Sequence, residues 1–112
     1  MIANTSKILF VALVLAAGCF PTSAQQAVSV SISVQNHRFQ PAQIHAPAKV
    51  PIELHVKNLD PTPMEFESVR LRVEKVVAGN SEGVIRLRPL EPGSYNFFDD
   101  FHQETRGTLV VQ

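Results

Sequence analysis

Cysteine is almost missing from this 112-residue chain: Cys19 is the only one, and it lies near the amino terminus. The sequence that follows can therefore build neither an internal disulfide nor a thiolate-centred site. Net charge is missing as well. Ten Lys and Arg balance ten Asp and Glu, and the pI is near 6.9, which removes the electrostatic argument for a nucleic-acid or anionic-membrane partner. There is no Gly-rich phosphate loop, no Cys-x-x-Cys pair, no basic-aromatic stripe and no nucleophilic triad at a recognisable spacing. No stretch carries a convincing helical period, and no repeat or linker interrupts the chain. What is present is 45% hydrophobic and 18% charged, enough apolar side chain for a core at a length that favours one domain.

Residues 1–24 read as an export signal. Lys7 supplies a positive start, Ile8–Ala17 an apolar run too short for a comfortable membrane span, and Thr22-Ser23-Ala24 small residues for cleavage. The expected mature domain is Gln25–Gln112 in the periplasm, with one more acidic than basic side chain. The alternative is a lipoprotein signal, with Ala16-Ala17-Gly18 before a lipidated Cys19. Either way the domain must be held by its core or by a bound metal rather than by disulfides.

Beyond the leader the pattern alternates. Val28, Val30, Ile32 and Val34 are separated by serines, a half-buried strand. Gln35-Asn-His-Arg38 is a turn, Phe39 a core plug, Pro41 a break in pairing, and Ile44 the start of a short strand. Val50, Ile52, Leu54 and Val56 alternate in a second clear strand, whose Pro51 suggests an edge. Met64–Val69 looks extended, Leu71–Val77 is extended or a helical turn, and Val84–Pro89 alternates again. Pro92-Gly93 turns into Ser94–Phe98, Asp99–Arg106 reads as a polar loop, and Thr108–Val111 closes the chain. Tyr95 is placed like a tyrosine corner, with its hydroxyl returning to nearby backbone. About seven short strands between Pro, Gly and Asn turns predict an all-β sandwich.

The main chemical suggestion is Asp99 and His102, three residues apart at a sheet rim, where a turn brings a carboxylate and an imidazole together. The plainer readings are an Asx-turn aspartate and a solvated histidine. Asp100 is a spare carboxylate. Glu65 and Glu67 share one face of a strand as metal donors or merely solvated acids, and Met64 is either a ligand or a core filler. His45, beside a Pro turn, is a weaker candidate. His37 and His55 read as surface side chains.

Phe39-x-Pro41-x-x-Ile44-x-x-Pro47, Leu54-x-Val56-x-Asn58, Pro92-Gly93-x-Tyr95-x-Phe97, His102 and Gly107-x-Leu109-x-Val111 resemble the cupredoxin family over essentially the whole mature chain. Glu65-Phe-Glu-Ser68, Glu74-Lys75 and Phe98-Asp-Asp-Phe-His102 further resemble the cupredoxin-like periplasmic components of bacterial ferrous-iron uptake systems. The resemblance implies a Greek-key sandwich and a copper site. His102 matches the family's second histidine. Asp99 stands where the thiolate belongs, Gly107 where the axial methionine often lies, and Met64 or Glu65 at the first histidine's place. Carboxylate plus imidazole suits Cu(II), Fe or Mn better than Cu(I), and without a thiolate intense blue colour is not expected.

The expected metal set is thus Asp99, His102, Met64, Glu65, Glu67 and His45, with copper as cofactor and iron as substrate or second ion. The implied function is a periplasmic copper-binding component of ferrous-iron uptake. It would oxidise Fe(II) or accept its electron, and its partners would be a periplasmic iron-binding protein and an inner-membrane iron permease. The alternatives are a free-standing ferrous oxidase, a copper chaperone or electron-transfer module unrelated to iron, and a scaffold without metal.

Overall fold

The computed structural model describes residues 26–112; the expected export signal and Cys19 lie outside the described residues. Among the described residues there is no helix. Nine strands run as β1 (Val28–Gln35), β2 (Arg38–Gln40), β3 (Gln43–Ala46), β4 (Ile52–Asn58), β5 (Met64–Ser68), β6 (Val73–Val77), β7 (Ser81–Leu87), β8 (Gly93–Asp99) and β9 (His102–Val111). They form two mixed sheets, ordered β2-β1-β4-β7 and β3-β9-β8-β5-β6. The all-β sandwich expected from the alternating pattern is what forms.

The strand count exceeds the expected seven because two segments are too short or too polar to announce themselves. β2 is three residues long. It pairs with β1 across a two-residue turn, then ends at a cis Gln40–Pro41 peptide that leads the chain into the other sheet. β6 shows little alternation because it is an edge strand with exposed Glu74, Lys75 and Val76. Leu71 is buried in the turn before it, so the ambiguous 71–77 stretch is a turn followed by a strand. Pro51 does not mark an edge. It lies one residue before β4, which is flanked by β1 and β7, so no ladder bond is lost.

The segment read as a polar loop is the largest departure. Asp100 and Phe101 make a tight turn, and β9 starts at His102. The β8–β9 register jumps from Phe98↔Arg106 to Asp99↔His102. Residues 103–105 therefore bulge out of the ladder, and for that reason they lack the alternation of a paired strand.

The core is the facing inner rows of the two sheets. Val34, Ile52, Leu54, Val56, Phe66, Phe97, Leu109 and Val111 are all essentially inaccessible. Phe66 stacks on Phe97 with centroids 4.9 Å apart, and Phe39 meets the Phe97 ring edge-on at 4.9 Å, an arrangement that adds to burial. Tyr95 forms the expected corner, donating its hydroxyl to the Glu91 carbonyl at 2.7 Å. Gly107 is required by close approach. A Cβ there would collide with the Phe97 ring and sit 2.9 Å from the Ala42 carbonyl oxygen. We predict that Gly107→Ala destabilises the domain by about 1–3 kcal/mol, read as a drop of at least about 4 °C in thermal midpoint.

Candidate functional site

Three connections meet at one end of the sandwich: the β1–β2 turn, the β4–β5 loop and the β8–β9 turn. The alternation of β8 explains what happens there. Tyr95, Phe97 and Asp99 occupy its inward row, so the core-facing row ends in an aspartate with no measurable exposure. A buried carboxylate needs donors, and Asp99 has three. Its Oδ1 accepts from the backbone N–H of Glu65 at 2.9 Å and from that of Phe101 at 3.0 Å. Its Oδ2 lies 3.1 Å from His102 Nδ1, which donates to it. The Phe101 contact is an Asx turn, and it coexists with the imidazole contact. Asp99 and His102 do come together as the spacing suggested.

The remaining candidates divide between the two faces of β5. Met64 and Phe66 point inward, and the thioether of Met64 is part of the core, 2% exposed. Glu65 and Glu67 point outward. They converge with Asp100, each offering an oxygen within 4.8 Å of the others, because the Asp100 N–H donates to the Glu65 carbonyl at 2.9 Å and anchors the turn beside β5. Glu74 pairs with Glu67 across the β5–β6 ladder and adds a fourth negative charge. Loss of hydration, followed by the charges of Asp100 and Glu74, pushes the Glu65 carboxyl up from its ordinary value. Loss of hydration and Asp100 do the same to Glu67. Met64 therefore shares a face with Asp99 and not with the carboxylates. His45 joins neither group; it sits on β3, opposite Val110 of β9 in the ladder, with its Nε2 3.4 Å from Gln43. His55 is not simply solvated, since its two nitrogens lie 2.9 Å from Glu53 and 2.7 Å from Glu82.

Two more residues lie at the tip: His37, read from sequence as a surface side chain, and Asp60, which was not singled out by sequence. His37 stacks on His102, with ring centroids 3.9 Å apart and planes at 26°. Asp60, 8% exposed, accepts the backbone N–H groups of Asn36 at 2.7 Å and His37 at 3.0 Å. The His37 N–H foremost, with that of Asn36 and against the cost of burial, holds the Asp60 carboxyl below its ordinary value. Asp60 is placed in turn by Asn58, fully buried, whose Oδ1 accepts the Asp60 N–H and whose amide donates to the Thr62, Val77 and Ala78 carbonyls. The usable signal was an Asn-His pair directly after a strict alternation, a hairpin turn that projects a side chain at the sheet end.

A thiolate-based blue-copper centre does not fit this donor set, because no cysteine lies among the described residues. Nitrogen and oxygen donors fit Cu(II) or iron. The charge crowding is itself testable. A carboxyl whose folded-state value is raised stabilises the protein fully below its unfolded value of 4.5 and loses that contribution as pH rises through the folded value. Glu67→Gln should therefore raise the thermal midpoint of the metal-free protein at pH 7, and the gain should vanish when the melts are repeated below pH 4.5.

A family profile described as a cupredoxin-like domain matches residues 7–111. An uncharacterized protein of Rickettsia prowazekii (strain Madrid E) is 40% identical over 85 residues, covering 75% of this chain and 68% of its own length. Among solved structures, the metal-binding domain of the Streptococcus pneumoniae Cu(I)-exporting P-type ATPase CopA superposes with a TM-score of 0.68 at 21% identity, over 75% of this chain and 84% of that one. The blue copper protein auracyanin A of Chloroflexus aurantiacus gives 0.65 at 11% identity, over 78% of this chain and all of that one. At these identities the two structures establish the fold alone, a cupredoxin-like sandwich.

Proposed function

The chain belongs to the cupredoxin-like domain family, and on that premise we propose that it is an exported metal-binding component of ferrous-iron uptake, holding copper at His102 and iron at Glu65, Glu67 and Asp100. The observation that carries this is the double engagement of Asp99: one oxygen takes the His102 imidazole, the other the backbone N–H of Glu65. Asp99 thereby joins the imidazole at the tip to the strand bearing the carboxylates.

The roles follow from the chemistry. Asp99 has its oxygens committed to three donors and no exposure, so it acts by positioning. It fixes the proton on His102 Nδ1 and leaves Nε2 as the donor atom, the carboxylate–histidine arrangement of metal sites. Copper, when bound, supplies a one-electron acceptor for Fe(II). Glu65, Glu67 and Asp100 offer hard oxygen donors, which suit iron, and a cation there relieves the repulsion that raises their carboxyls. The ferric product would pass to a periplasmic iron-binding protein and an inner-membrane permease. A Cu(I) chaperone is the less supported reading, because its soft donors are missing: Met64 lies in the core, and no cysteine lies among the described residues.

The test is anaerobic titration of the mature protein with Cu(II), then with Fe(II). His102→Ala is expected to weaken Cu(II) binding by at least about tenfold while leaving Fe(II) binding unchanged. Glu65→Gln with Glu67→Gln is expected to do the reverse, and one Fe(II) should be consumed per bound copper. Bound copper that Fe(II) leaves oxidised would remove the iron reading, and wild-type copper affinity in His102→Ala would remove the site.

A further inference from the structure

We infer that the tip site has two imidazole ligands, His37 as well as His102, and that the β1–β2 turn exists in its observed form to deliver the second. The inference rests on the proposed placing of a divalent copper ion at His102.

Four observations carry it. Asn36 and His37 both have positive φ, 53° and 55°, as a two-residue hairpin turn of the primed type requires. The second position of such a turn favours Gly, and a side chain there is strained. A histidine is held there nonetheless. The buried Asp60 carboxylate clamps the backbone N–H groups of both turn residues, and the buried Thr105 donates its hydroxyl to the His37 carbonyl. Thr105 lies in the bulge of β9, so the turn carrying His37 is tied to the strand that begins at His102. The result is a stacked pair with centroids 3.9 Å apart.

The orientation of the rings matters more than their proximity. His102 turns Nδ1 to Asp99 at 3.1 Å, and His37 turns Nδ1 to Asp60 at 3.6 Å. Each ring thus directs one nitrogen at a buried carboxylate, and no protein hydrogen bond engages either Nε2 among the described residues. The hydrogen bond from His102 Nδ1 to its carboxylate makes Nε2 the basic nitrogen and fixes that ring, while His37 Nδ1 faces Asp60 without a hydrogen bond. The side chains are 47% and 30% exposed, so neither ring is sealed from solvent. Two neutral imidazoles suit Cu(II) and other late divalent ions. They also supply a second nitrogen donor that the Asp99–His102 pair lacks.

Pulsed EPR on protein carrying one equivalent of Cu(II) counts coupled imidazoles directly. The parent is expected to show two, and His37→Gly and His102→Ala one each. His37→Gly creates Asn-Gly, the favoured pair for this turn, so an unchanged thermal midpoint separates lost ligation from lost folding. Cu(II) affinity in that variant should fall by at least about tenfold. A parent showing one imidazole, unaffected by His37→Gly and lost in His102→Ala, would overturn the paired site and leave the His102 reading standing. An imidazole count unchanged from the parent's in both variants would place the copper elsewhere and overturn both.

Discussion

An aspartate at the end of a core-facing strand row is tolerable only if the fold brings donors to it, and the tip of this protein is arranged around that need. The carboxylate of Asp99 gathers a main-chain N–H from β5, another from the turn that follows it, and an imidazole from β9. The β8–β9 turn and β5, 34 positions away in sequence, are thereby fixed to one buried group. Removing the carboxylate would leave at least two buried or half-buried N–H groups without partners, a larger loss than that of any one of its bonds. The same interaction sets the tautomer of His102 and seats β5 beside the β8–β9 turn, where Glu65 and Glu67 meet Asp100. The positioning of the imidazole and the clustering of the carboxylates share one cause.

Asp60 repeats the device at the same tip. It too is a buried carboxylate that receives main-chain donors from a turn, and it too faces an imidazole. The two aspartates differ in what they can give up. Both oxygens of Asp99 and both oxygens of Asp60 are occupied by protein donors, so neither is free to leave for an ion without freeing backbone groups. The half-buried carboxylates of Glu65, Glu67 and Asp100 hold no backbone N–H and carry no such obligation. Buried acids that orient and open acids that can bind are therefore distinguishable by their hydrogen bonds, although all of them are written as Asp or Glu in the sequence.

That distinction marks the limit of what the sequence shows. The alternation of Val28–Val34 and of Val50–Val56 specifies half-buried strands, and Pro92-Gly93-Ser94-Tyr95 specifies a turn and a tyrosine corner; all three are present. The meeting of Asp99 and His102 was legible because it depends on three residues of local chain. The His37–His102 stack was not, since it depends on the β1–β2 turn arriving over β9, a contact between parts of the chain 65 positions apart. The bulge at 103–105 hid the start of β9, because residues outside the ladder carry no period-two pattern. Met64 was ambiguous because an inward and an outward position in β5 differ by one residue, and only the pairing of β5 with β8 fixes which row is which.

The two parallel pairings, β1 with β4 and β3 with β9, have a consequence for the order of events in the life of the molecule. Among the described residues β3 pairs with β9 alone in its sheet, so that sheet closes only once the strand beginning at His102 has been made, by a long-range contact of the kind that folds slowly. Until β9 docks, Asp99 lacks its imidazole, and His37 has nothing to stack upon. A nascent chain consequently lacks the assembled cluster of His37, Asp99 and His102, and whatever chemistry that end performs belongs to the finished domain alone.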